Sequence, residues 1–194
     1  PKPPQVSAAM QQAMRRFGAN PGRAGHNMSL ATAQEVFRAR EEAAALFDAP
    51  GPENVCFVMN CTQALNMAIK GLVKPGSHVV TSCLEHNAVM RPLEALRAQG
   101  IITYTEVKIV PGDNDATLDA FRQAMKENTC LCVCTHVSNV WGIRLPVERI
   151  TALCHAYNVP VCIDCAQSAG VLPISMKEYN FDCICAPVHK GLYG

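Results

Sequence analysis

The chain has 194 residues, 49% hydrophobic and 17% charged, with a formal net charge of +1. That length bounds a single domain with a sizeable core, and the near-neutral balance leaves no electrostatic footprint for nucleic acid or an anionic membrane surface. No apolar run approaches the roughly 20 residues that cross a bilayer, so the partners to expect are small molecules and other protein chains, with no nucleic acid and no membrane among them.

Eleven cysteines are many for this length. A secreted disulfide framework does not fit them, because no signal-type segment opens the sequence and the cysteines fall inside apolar runs (Cys130, Cys132 and Cys134; Cys183 and Cys185) rather than in turns. Alternate residues of a strand share a face, so most read as small buried hydrophobes in a reducing, cytoplasmic compartment. Cys162 and Cys165 make a C-x-x-C with no second pair at zinc spacing. Met10, Met14, Met28 and Met67 read as core filler, and His26, His78, His136 and His155 as structural.

In chain order, helical periodicity covers Val6–Phe17 and Ser29–Phe47, the second with an apolar stripe of Ala31, Val36, Ala39, Ala43, Leu46 and Phe47. Between them lies the loop Asn20-Pro21-Gly22-Arg23-Ala24-Gly25-His26, a linker or an active-site segment. Apolar runs then alternate with amphipathic ones. Strands are expected at Val55–Met59, His78–Ser82, Ile101–Val107, Leu131–His136, Val159–Asp164 and Phe181–Ala186. Helices are expected at Gln63–Leu72, Val89–Gln99, Thr117–Glu127 and Val147–Tyr157. Pro75-Gly76, Gly100, Pro111-Gly112 and Asn158-Val159-Pro160 mark loops. Such alternation implies βαβ units and a largely parallel sheet flanked by helices, an α/β fold in which some strands could run antiparallel.

Ligands of open α/β sheets sit outside the carboxyl ends of the strands. The successive strand ends here deliver Asn60-Cys61-Thr62-Gln63, Glu85-His86-Asn87, His136-Val137-Ser138-Asn139, Asp164-Cys165-Ala166-Gln167 and His189-Lys190-Gly191. Any one of these could be an ordinary turn or a solvated side chain. Five in order on one rim describe a site. A pyridoxal-phosphate (PLP) enzyme needs a lysine amine, a carboxylate for the pyridine nitrogen, a flat group over the ring, a donor to the 3′-oxygen and a helix N-terminus for the phosphate. Lys190, Asp164, His86, Gln167 and Cys61-Thr62-Gln63 can supply these in turn.

The stretches Cys61–Asn66, Glu85–Ala88, His136–Gly142, Asp164–Gln167 and His189–Gly194 resemble, in order and spacing, the motifs of the class V aminotransferase family, in its cysteine desulfurase and selenocysteine lyase-like branch. The resemblance runs from about Pro1 to Gly194 and implies the large domain of the PLP-dependent transferase fold type I, with a mostly parallel mixed sheet. Residues 1–50 would be N-terminal helices and residues 51–194 the sheet-bearing part. Lys190 would be the Schiff-base lysine, its amine made less basic by burial. Asp164 would pair with the pyridinium nitrogen, Gln167 with the 3′-oxygen, and His86 would stack on the ring and assist proton transfer. Asn139 would lie beside the 3′-oxygen and the substrate carboxylate. Cys61, Thr62 and the backbone of Gln63 would bind phosphate, with help from His189.

The sequence departs from the family pattern at Pro187, where many relatives carry Ser or Thr, at Val188, where Gly is usual, and at Cys165, which replaces Gly or Ala. The resemblance also implies a further half of polypeptide after Lys190, with a small C-terminal domain, a carboxylate-binding arginine and a nucleophilic cysteine. It implies desulfuration of L-cysteine or deselenation of selenocysteine to alanine, an amino-acid substrate, a homodimer and a sulfur-acceptor protein. The alternatives are a class V aminotransferase, lyase or epimerase acting on another amino acid, or a non-catalytic PLP-fold fragment or scaffold. A nucleotide-binding module is disfavoured because no G-x-G-x-x-G follows a strand.

Overall fold

A computed structural model describes residues 2–22 and 25–194. Arg23 and Ala24 of the expected glycine-containing loop lie outside the described residues. The helices are α1 (Pro4–Arg16), α2 (Asn27–Leu46), α3 (Cys61–Leu72), α4 (Asn87–Ala98), α5 (Asn114–Ala124), α6 (Val147–Ala156) and the short α7 (Met176–Tyr179). The strands are β1 (Ser77–Ser82), β2 (Ile102–Val107), β3 (Thr129–Thr135), β4 (Val161–Asp164) and β5 (Cys183–Cys185). They form one sheet of order β2-β1-β3-β4-β5, and every ladder is parallel.

A parallel sheet must be covered on both faces, because its crossover helices lie against it. Here α3 and α4 bury Leu65, Ile69, Val89 and Leu93 on one face, against Val79, Leu131, Val133 and Cys162. On the other, α5 and α6 bury Phe121, Ile150 and Cys154 against Val80, Cys132, Cys134 and Ile163. The alternation Val79/Val80 and Leu131/Cys132/Val133/Cys134 is the period of two that a pleated strand imposes. Fully burying a side chain such as Phe121 or Ile150 contributes about 1.5–3 kcal/mol.

Four expectations are corrected. Val55–Met59 forms no strand: the preceding 3-10 turn Pro52–Asn54 leads into an unpaired stretch that ends in the helix cap of α3. A strand exists only where a neighbour completes its ladder. Val55, Phe57, Cys183 and Ile184 instead line a groove, and no ladder joins the segment to β5. The sheet is parallel rather than mixed among the described residues, with a single antiparallel bridge, Val137 to Arg144, outside its strands.

The methionines are not core filler: Met10, Met14, Met28 and Met67 are 55%, 75%, 54% and 52% exposed. No residue of α1 is buried; α2 buries Ser29, Thr32 and Ala44, while Ala31, Val36, Ala43 and Phe47 of its apolar stripe are half-buried, Phe47 against the core, and Ala39 and Leu46 are exposed. Periodicity defines a face of a helix without supplying anything to cover it. Finally, Cys56 and Cys83 are exposed and Cys61, Cys130 and Cys183 half-buried, whereas the other six cysteines are buried as expected. The four histidines read as structural keep that character: His26 caps α2, His78 is buried between Thr105 and Thr129, His136 is buried, and His155 meets Asp182.

Candidate active site

β1 and β3 are adjacent, yet β2 lies outside β1 and β4 outside β3. The connections therefore leave in opposite directions, which opens a crevice at the carboxyl ends of the strands. A cavity of about 190 Å³ lies there, open to solvent on one side and lined by Cys61, Thr62, His86, Asn139, Asp164, Gln167, His189 and Lys190. Eight of the nine residues expected at the site thus share one space. Gln63 does not: its backbone N–H donates to Asn60 Oδ1 at 2.8 Å, and its side-chain oxygen accepts from the Met59 N–H at 2.8 Å.

Asp164 ends β4 and is only 2% exposed. Its Oδ1 accepts from the Ala166 N–H at 2.9 Å and from the Cys61 thiol at 3.8 Å. Burial raises its pKa, opposed by the Ala166 hydrogen bond and by the charges of His86 and Lys190. A buried carboxylate with no cation in contact is costly, and Asp164 faces a cavity in which a cationic ring N–H would satisfy it.

His86 is the N-cap of α4, its Nδ1 accepting from the Ala88 N–H at 3.0 Å. That bond fixes the ring beside the cavity and leaves Nε2 as the nitrogen that carries the proton in the neutral side chain. α3 points its N-terminus at the same space, capped by Asn60. Its free N–H groups and the Thr62 hydroxyl form an anion cradle. Pro187 is buried and lines this region, and it brings no N–H and no hydroxyl.

Lys190 lies in the turn after β5, at the cavity mouth, and is exposed rather than buried as expected. Gly191 and Gly170 hold that turn. A Cβ on Gly191 would lie 2.3 Å from the Ala169 carbonyl oxygen, and one on Gly170, whose φ is +77°, 2.5 Å from Gly191. The backbone after β5 therefore packs directly on the loop after β4, which ties Lys190 to Asp164.

Sequence reasoning set two further residues on the rim without assigning them a role. Asn60 caps α3 and lines the cavity, a role foreshadowed by an Asn placed directly before a helix. Glu85 is the other: Oε1 accepts from the Ser82 hydroxyl and from the Thr135 N–H at 2.8 Å, and Oε2 has no partner among the described residues. Burial pushes its carboxyl up to about 8, against the Ser82 and Thr135 hydrogen bonds. It thereby joins the end of β1 to the end of β3 beneath His86.

A parallel sheet with its ligand crevice at the switch point, a buried aspartate and a lysine on the loop after β5 is the arrangement that a PLP-dependent α/β enzyme needs. The chain belongs to the class V aminotransferase family, whose family model matches residues 1–194. It is 35% identical over 201 residues to the cysteine desulfurase IscS of Vibrio atlanticus (strain LGP32), covering 100% of this chain and 48% of that protein. It is 33% identical over 204 residues to the IscS of Shewanella loihica (strain ATCC BAA-1088 / PV-4), again covering 100% and 48%. The apo cysteine desulfurase of Thermococcus onnurineus NA1 superposes with TM-score 0.88 at 25% identity, over 100% of this chain and 48% of that one. SspA in complex with cysteine superposes with TM-score 0.89 at 27% identity, over 100% and 56%. The chain spans about half the length of the curated relatives it matches. The family is PLP-dependent, and the donor set fits that cofactor: a desolvated carboxylate, a primary amine, an aromatic ring and an uncovered helix N-terminus share one cavity.

Proposed function

We propose that residues 1–194 are the cofactor-binding large domain of a PLP-dependent enzyme that removes sulfur from L-cysteine, or selenium from selenocysteine, and leaves alanine. The observation that carries this reading is the convergence of Asp164, His86, Gln167, Asn139 and Lys190 on one cavity, together with relatives that are cysteine desulfurases.

In this reading Asp164 holds a proton on the pyridine nitrogen. Gln167 and Asn139 orient the 3′-oxygen, the imidazole of His86 covers one ring face, and Thr62, the first N–H groups of α3 and His189 hold the phosphate. PLP, when bound, supplies the electron sink that lets charge develop at the substrate Cα. The Lys190 amine is the anchor, and once released it moves protons to and from carbon. Its place at an exposed mouth lets the substrate amine reach it.

In the sulfur step a thiolate attacks the substrate sulfur: the substrate C–S bond breaks, an S–S bond forms, and a persulfide remains on the attacking cysteine. The carbon that loses sulfur gains a proton, so cysteine plus thiol gives alanine plus persulfide. The buried strand cysteines and Cys61 are unsuited to this attack, since a nucleophilic thiol needs exposure and a lowered pKa. The persulfide then passes to a sulfur-acceptor protein. In this reading the enzyme works as a homodimer in the cytoplasm.

The test is product analysis of the purified, PLP-loaded protein with L-cysteine and a thiol reductant. Equimolar alanine and sulfide support the reading. Keto-acid formation, or no turnover of cysteine or selenocysteine by protein that has bound PLP, overturns it.

A further inference from the structure

β4 and β5 carry a second concentration of chemistry, on the face turned away from α5 and α6. Parallel register sets Cys162 opposite Cys183, and Cys185 follows two residues along β5, so it shares the face of Cys183. The three sulfurs all lie within 4.8 Å of one another, and Cys162 and Cys185 are 4.0 Å apart. A zinc–thiolate bond is about 2.3 Å, so a metal at the centre of a planar trigonal array holds its sulfurs about 4.0 Å apart. The three thiols thus stand close to the spacing of a three-coordinate site before any ion is bound.

We propose that Cys162, Cys183 and Cys185 form a three-thiolate site for a thiophilic d10 cation, copper(I) first and zinc(II) second. Soft thiolates select such ions over hard oxygen-seeking ones. Among the described residues no His or carboxylate joins the group, which favours an ion content with three sulfurs. Access is open on one side, since Cys162 and Cys185 are buried whereas Cys183 is half-buried and lines the groove beside β5.

Binding the ion displaces the thiol protons, which leave to solvent. No bond other than metal–sulfur forms, and no electron moves. The ion would staple β4 to β5, the strands that lead to Asp164 and to Lys190.

The experiment titrates the reduced protein with copper(I) against a chromophoric copper(I) chelator, and repeats this with zinc(II). X-ray absorption reads the donor set. One ion per chain with three sulfurs at about 2.3 Å is expected. Cys183→Ser and Cys185→Ala are expected to weaken binding by more than the 10–100-fold (roughly) that loss of an outer-shell group costs. A Cys56→Ser/Cys83→Ser double variant, which removes the two exposed thiols, is expected to bind as the parent does. If Cys185→Ala fails to fold, the isosteric change at half-buried Cys183 carries the test alone. Unchanged affinity in Cys183→Ser, loss of binding in the double variant, or fewer than three sulfurs on the ion would overturn the proposal.

Discussion

The Cys61 thiol, at the start of α3, donates to Asp164 Oδ1 across 3.8 Å. One helix N-terminus and one strand end are thereby locked together at the floor of the cavity. Burial pushes the Cys61 thiol up to about 12, with Asp164 adding to the effect and Lys190 opposing it.

Cys61 is therefore a neutral thiol at physiological pH and a poor nucleophile. Brief alkylation of the native protein near pH 8, followed by peptide mapping, is expected to label exposed Cys56 and Cys83 and to spare Cys61. Labelling of Cys61 as fast as Cys83 would contradict its assigned hydrogen bond.

Asp164→Asn keeps the acceptor for the Ala166 N–H and removes the charge. Because burial raises the Asp164 pKa, folding disfavours the carboxylate, and the variant is expected to melt no lower than the parent. Turnover should fall by about 10²–10³-fold, the scale for removing one preorganised electrostatic group. A lowered melting temperature with activity retained would count against the assigned role.

Glu85 gives a pH signature of stability. Its native pKa of about 8 exceeds its ordinary 4.5, so between those values the native state holds a proton that the unfolded chain has lost. Stability from this group is full below about pH 4.5 and falls as pH rises to about 8, at no more than ~1.4 kcal/mol per pH unit. Glu85→Gln, measured by urea denaturation at pH 5, 6.5 and 8, should flatten that decline. A slope identical to the parent's would show that Glu85 is ionised in the native protein.

Gly191→Ala tests the packing that positions Lys190. A Cβ 2.3 Å from the Ala169 carbonyl and 2.9 Å from Val171 cannot be absorbed by rotating a flexible side chain. The loop must shift, at about 1–3 kcal/mol, and cofactor retention should drop with it. A Gly71→Ala control, where a Cβ meets nothing within 4 Å, should leave cofactor binding unchanged.

Much of the site was legible because strand ends are legible. Apolar runs close at Ser82, Thr135, Asp164 and Ala186, and the polar residues beyond them had to share a rim once the strands were parallel. Lys190 and Asp164 were readable for that reason, α1 to α4 and α6 were placed to within two residues at each end, and α5 was shifted by three. Long-range closure was not readable. Val55–Met59 carries strand composition yet has no neighbour to complete a ladder, and the methionines of α1 and α2 stay exposed. The role of Glu85 was hidden for a related reason: the carboxylate of this half-buried residue is held by Thr135, 50 residues away, and no local pattern distinguishes such a glutamate from one on a turn.

Lys190 is the residue on which the account rests. The purified protein, incubated with PLP and then treated with borohydride, is expected to retain the cofactor covalently on the peptide that contains Lys190, with loss of its visible absorption band. Lys190→Ala is expected to bind PLP only reversibly and to yield no such peptide. Recovery of the reduced adduct on another lysine, or on the Lys190→Ala protein in parental yield, would contradict the assignment of this cavity as the PLP site.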